Sequence, residues 1–182
     1  MAKSSGASIL REIILGGQDG LVNVLGLVLG MASATNNAHL VIVAGLAATF
    51  AESFSMAGVA YTASKASRDY YLSQKKGEQS HEISWASDLQ KERHPIHSSV
   101  IVCTSCIIGS LIPLSPFFIL PVQQAIFASL ALSLATLFSV GALKAKWTVG
   151  KWHRSGLEMA AIGIGAALIG YAIGTLLGVR EV

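Results

Sequence analysis

An all-α fold that crosses a membrane five times follows from three features of this 182-residue chain. Hydrophobic residues make up 52% and charged residues only 13%, about half the charged share usual in a soluble protein. Mean hydropathy is +0.58. The apolar residues gather into five runs at or near the ~20 residues that a helix needs to cross a bilayer, and the charges fall between the runs. This composition describes a polytopic membrane protein and excludes a soluble nucleic-acid binder. The net charge of +3 therefore matters through where the basic residues lie.

Residues 1–12 are a short polar lead with Lys3 and Arg11. The first span is predicted over 13–35. It is too long for the apolar core of a cleavable signal. Thr35-Asn36-Asn37-Ala38-His39 reads as a tight polar turn, and the second span follows over 40–64. Residues 65–95 are densely charged, from Lys65, Arg68 and Asp69 to Lys91, Glu92 and Arg93. They read as a short linker within a single transmembrane domain, 1–182. The third span is predicted over 96–112, with Pro113, Pro116 and Pro121 breaking the helix at the far side. The fourth covers 122–143. A basic loop with Lys144, Lys146, Lys151 and Arg154 leads into the fifth, over 157–179.

Five spans put the termini on opposite faces. Of the thirteen Lys and Arg residues, all but Arg180 lie in the lead, the linker and the basic loop, which share one face. The positive-inside rule makes that face cytosolic, with the N-terminus inside and the C-terminus outside. Small-residue stripes mark close helix packing: Gly26 and Gly30; Gly45, Thr49, Ser53 and Ala57; Gly170, Gly174 and Gly178. Cys103-Thr-Ser-Cys106, alone inside a span with no second ligand pair, reads as packing.

An ionisable residue inside the membrane is costly and points to function. Asp19 follows Gly16-Gly17-Gln18 in the first span; the second carries Glu52 and Met56, four apart on one helical face. Measured from the outer turn at 1.5 Å per residue, Asp19 lies roughly 24 Å down, Glu52 roughly 20 Å and Met56 roughly 26 Å. The hairpin should therefore bring all three to one depth. Two carboxylates and a thioether suit Fe²⁺ or Mn²⁺ over Mg²⁺ or Ca²⁺. Carboxylates that bind metal also exchange protons. These residues are the predicted metal path, and Asn23, one turn from Asp19, with Ser53 and Ser55 on the second span, adds oxygen ligands. Secondary metal candidates are Glu158 at the start of the fifth span, and His94 and His97 before the third. The plainer readings are an i,i+4 pair for Arg154 and Glu158 and a solvated surface for the histidines. No nucleophile stands at helical spacing from a base, so neither an enzyme nor a resident cofactor is expected.

At this point the chain resembles the vacuolar iron transporter family of membrane carriers for Fe²⁺ and Mn²⁺. The matching stretches are Gly16-Gly17-Gln18-Asp19-Gly20-Leu21-Val22, Ala44-Gly45-Leu46-Ala47, Ser55-Met56-Ala57, Gly109-Ser110-Leu111-Ile112-Pro113-Leu114, Gly141-Ala142-Leu143-Lys144-Ala145 and Ser155-Gly156-Leu157-Glu158-Met159. The resemblance implies a five-helix protomer and a homodimer with the path at its interface. It also implies export of iron or manganese from the cytosol by proton antiport, across a cell membrane or a vacuolar-type membrane. By position Asp19 and Met56 match the family's pore Asp and Met. The chain departs from the family where Gly-Glu usually follows the Ser-Met element, here Val59 and Ala60, and it lacks the Glu-rich cytosolic metal-binding domain. Glu52 is read as a relocated pore carboxylate. The competing expectation is a membrane scaffold or metal sensor that keeps the fold without transporting.

Overall fold

The computed structural model describes residues 2–75, 95–147 and 151–178. They form α1 (Ala2–Ala34), α2 (Ala38–Lys75), α3 (Pro95–Leu114), a 3-10 turn (Ser115–Phe118), α4 (Val122–Trp147) and α5 (Trp152–Leu177). All five α-helices are long and apolar enough to cross a membrane, over Ser8–Ala34, Ala38–Tyr70, Pro95–Phe118, Val122–Lys146 and Trp152–Leu177. Among the described residues the predicted all-α architecture, with five helices of membrane-crossing length and composition, is therefore present.

Helix ends differ from the ends of the apolar runs. α2 continues eleven residues past the predicted stop at Ser64. The segment Lys65–Lys75 contains no Gly or Pro and is rich in Lys, Arg, Gln, Ala and Leu, which favour helix. Its charges end the apolar run without ending the backbone hydrogen bonding. The first part of the predicted linker is thus helical; 76–94 lies outside the described residues. Pro113 does not end α3 either. It sits in the last turn, where its missing N–H costs a single bond to the carbonyl four residues back. Its own carbonyl accepts a hydrogen bond from the buried Ser129 hydroxyl of α4 at 2.6 Å. The predicted outer turn is tight, as expected. Asn37 caps α2 through its side-chain oxygen, which accepts from the amides of His39 at 3.0 Å and Leu40 at 3.3 Å.

α1 is the central helix, packed most extensively on α3 and α5 and also touching α2 and α4. Its buried residues Leu21, Val24, Leu25, Val28, Leu29 and Ala32 cover more than one face. One core cluster joins Val24 and Val28 to Val41, Leu114, Phe117 and Val122 near the turn that Asn37 caps. A deeper one joins Leu21 to Leu137 and Met159.

The glycine stripes do what small residues do in lipid, where close backbone approach replaces hydrophobic drive. α1 meets α3 through Gly16, Gly20 and Gly109. A β-carbon on Gly16 would strike the Val102 carbonyl, and one on Gly109 the Gly17 carbonyl. α1 meets α5 through Gly26 and Gly30 against Gly170 and Gly174; a β-carbon on Gly30 would lie 2.9 Å from the Gly170 carbonyl oxygen.

Candidate metal site

Asp19 and Asn23 lie one turn apart on α1, halfway along its apolar length. α2 runs antiparallel from the Asn37 cap and brings Glu52 alongside them. The Asn23 side-chain amide donates a hydrogen bond to Glu52 Oε1 across the two helices. Glu52 is also close enough to Asp19 for the two carboxyl groups to interact electrostatically. The hairpin therefore brings Asp19, Asn23 and Glu52 together, at the common depth that the residue counts gave. Met56 stands one turn beyond Glu52 on α2 and is half-buried.

This cluster opens sideways. Asp19 and Glu52 are half-buried and Asn23 is exposed. Around it α2 presents Phe50 at 61% exposure and Phe54 at 82%. On the opposite side, under α1, Cys106 of α3 is fully buried and within electrostatic reach of both carboxylates. Both cysteines are free thiols. Among the described residues no group of three or more His, Cys, Asp or Glu side chains is placed to hold a metal ion. The chain thus brings a carboxylate pair and an amide together here, fewer donors than a divalent cation takes.

The secondary candidates stand elsewhere. Glu158 pairs with Arg154 on its own helix, at 3.6 Å, with both side chains largely exposed. That is the i,i+4 arrangement, worth a few tenths of a kcal/mol. His97 is exposed in the first turn of α3. His94 lies outside the described residues.

Glu12 is a carboxylate that the sequence reading assigned to the polar lead. The structure makes it part of α1, half-buried, accepting hydrogen bonds from Ser98 of α3 at 2.7 Å and from Ser8 at 3.5 Å. Its signal was present, since Glu12 lies seven residues before Asp19, two turns back on one helical face.

Comparison with known proteins identifies the family. The family model described as the VIT family matches residues 10–93 and 80–175. Vacuolar iron transporter 1 of Tulipa gesneriana is 25% identical over 211 residues, covering 91% of this chain and 85% of that protein. An uncharacterized protein of Methanocaldococcus jannaschii is 30% identical over 176 residues, covering 93% of this chain and 90% of its own. The VIT-like transporter 1b of Glycine max is 31% identical over 144 residues, 75% of this chain and 63% of that protein. Matches that run through all five helices make the chain a multi-pass integral membrane protein of the VIT family.

Proposed function

We propose that this chain carries Fe²⁺ or Mn²⁺ out of the cytosol in exchange for protons, as a homodimer with the path at the subunit interface. The observation that carries the reading is the Asp19–Asn23–Glu52 cluster, held midway along two apolar helices. Carboxylates inside a membrane are expensive unless they serve a path or a partner. Here they lie beside each other, where a divalent cation offsets their mutual repulsion. When the cation leaves, protons take its place, which links metal movement to proton movement. The names of the plant relatives, vacuolar iron transporters, support iron as a substrate.

The sideways opening supports the dimer. A carboxylate pair facing hydrocarbon is unfavourable, and the exposed Phe50 and Phe54 surround it with apolar surface. A second copy placed on this face of α2 covers the aromatic surface and encloses the polar groups in a shared path. It also brings a second set of Asp19, Glu52 and Met56 to complete the coordination shell. Met56 contributes a soft donor that disfavours Mg²⁺ and Ca²⁺. The distribution of Lys and Arg supports a cytosolic N-terminus. The metal is substrate throughout.

The test is flux into proteoliposomes of Fe²⁺, Mn²⁺, Zn²⁺ and Ca²⁺, with an internal pH dye, for the parent and for Asp19→Asn. The expected result is Fe²⁺ or Mn²⁺ uptake with opposing proton flow, lost in Asp19→Asn while the dimer remains assembled. No flux of any metal from folded, dimeric protein would overturn the carrier and leave a scaffold or metal sensor.

A further inference from the structure

Hydroxyl groups inside these helices follow a habit. Thr49 donates to the Gly45 carbonyl, Thr104 to Val100, Thr136 to Leu132 and Ser139 to Ala135. That bond back to the preceding turn is available to any helical Ser or Thr, and it satisfies the hydroxyl without a partner helix. Ser53, Ser110 and Ser133 break the habit. They are 1%, 0% and 0% exposed, and their hydroxyl oxygens have no hydrogen-bond partner among the described residues. Buried polar groups left open in this way call for an explanation.

Two of the three, Ser53 and Ser110, approach one group, the Cys106 thiol. Cys106 is fully buried and in electrostatic reach of Glu52 and Asp19. Gly20, next to Asp19 in sequence, keeps the place clear from the α1 side. A β-carbon there would come within 2.6 Å of Ser110 Oγ and 2.9 Å of Cys106 Sγ. A sulfur and two buried hydroxyl oxygens, from α2 and α3, therefore converge beside the carboxylate pair, with room made for them by a missing side chain.

We propose that Cys106, Ser53 and Ser110 form an inner stop on the metal path that takes thiophilic divalent cations of the Zn²⁺, Cd²⁺ and Co²⁺ class. The proposal rests on the carboxylate pair being a metal path. Asp19, Glu52 and Cys106 do not form one preassembled cage, so the stop adjoins the carboxylates and is not a third ligand to them. Sulfur ligands select softer ions, whereas carboxylates suit Mn²⁺ and Fe²⁺. A soft ion that reaches Asp19 and Glu52 is drawn on to Cys106 and held as the thiolate complex, the S–H proton passing to the carboxylate that the ion leaves; a harder ion is not. Cys106 is thus a specificity-determining residue, and soft cations act as inhibitors of the harder ones.

The test uses the purified full chain as parent, Cys103→Ser and Cys106→Ser. Each is titrated with Co²⁺ while the sulfur-to-cobalt charge-transfer absorption is read, and Cd²⁺ inhibition of Mn²⁺ flux is measured in liposomes. The expected result is the absorption in parent and Cys103→Ser and its loss in Cys106→Ser, with Cd²⁺ inhibition of Mn²⁺ flux about tenfold weaker or more in that variant. Absence of the absorption in folded parent, or its persistence in Cys106→Ser, overturns the proposal. Should Cys106→Ser fail to fold, the double variant Ser53→Ala, Ser110→Ala serves. About tenfold weaker Co²⁺ binding supports the stop, and unchanged binding overturns it. The two readings fail separately: charge transfer without flux of any metal overturns the carrier and keeps the site, and flux without charge transfer does the reverse.

Discussion

Replacing Gly20 by alanine should weaken the fold, whereas the same replacement at Gly58 should not. Both glycines lie inside α-helices, Gly20 in α1 and Gly58 in α2. The gain in helix propensity, up to about 1 kcal/mol, is common to the two and cancels in their difference. What remains is packing. At Gly58 a β-carbon meets nothing within 4 Å. At Gly20 it meets the Cys106 carbonyl at less than contact distance, with Ser110 Oγ at 2.6 Å and Cys106 Sγ at 2.9 Å. The nearest of these is backbone, which cannot turn aside. α1 and α3 must separate by about 1 Å to restore contact, and overpacking of this kind costs about 1–3 kcal/mol. At about 2–4 °C per kcal/mol for a chain of this size, the two variants should differ in Tm by about 2–12 °C. The assay is thermal unfolding in one detergent, with both variants compared to the parent. Equal Tm values, or a lower value for Gly58→Ala, would refute the claim that bare backbone contact joins α1 to α3.

Two further outcomes follow from other parts of the structure. Asn37→Ala removes the cap that holds the amides of His39 and Leu40; thermal or denaturant unfolding should show a loss of about 0.5–2 kcal/mol, with Asn37→Asp close to the parent. Met56→Ala removes the soft donor proposed for the path, so competition assays in liposomes should show Mg²⁺ and Ca²⁺ inhibiting Mn²⁺ flux more strongly; unchanged competition would remove Met56 from the path.

The sequence carried the span count because hydropathy reports directly on the cost of placing residues in hydrocarbon. It carried the meeting of Asp19 with Glu52 because rise per residue turns sequence distance into depth along a hairpin. It carried less where hydropathy and backbone continuity part company. Lys65–Lys75 is polar and still helical, since charged side chains at the end of a long helix need only reach water. Pro113 is a helix breaker by type, yet in a final turn there is little left to break. The lateral order of helices was not legible at all. Nothing in the order of five runs states that α1 lies at the centre, or that Gly16 and Gly20 face α3 while Gly26 and Gly30 face α5. For the same reason Cys106 read as filler. Its significance depends on Ser53 and Gly20, which belong to two other helices.

One consequence of α2 is mechanical. Its 38 residues make a shaft about 57 Å long, nearly twice the ~30 Å of hydrocarbon it crosses. Glu52 is fixed on this shaft, and no Pro interrupts it from the Asn37 cap to Lys75. A twist or tilt applied at the projecting end is therefore delivered to the Glu52 carboxylate, as a tiller moves a rudder. One residue added between Tyr61 and Tyr70 would swing the far end by about 100° and leave Glu52 in place; four would nearly restore the heading.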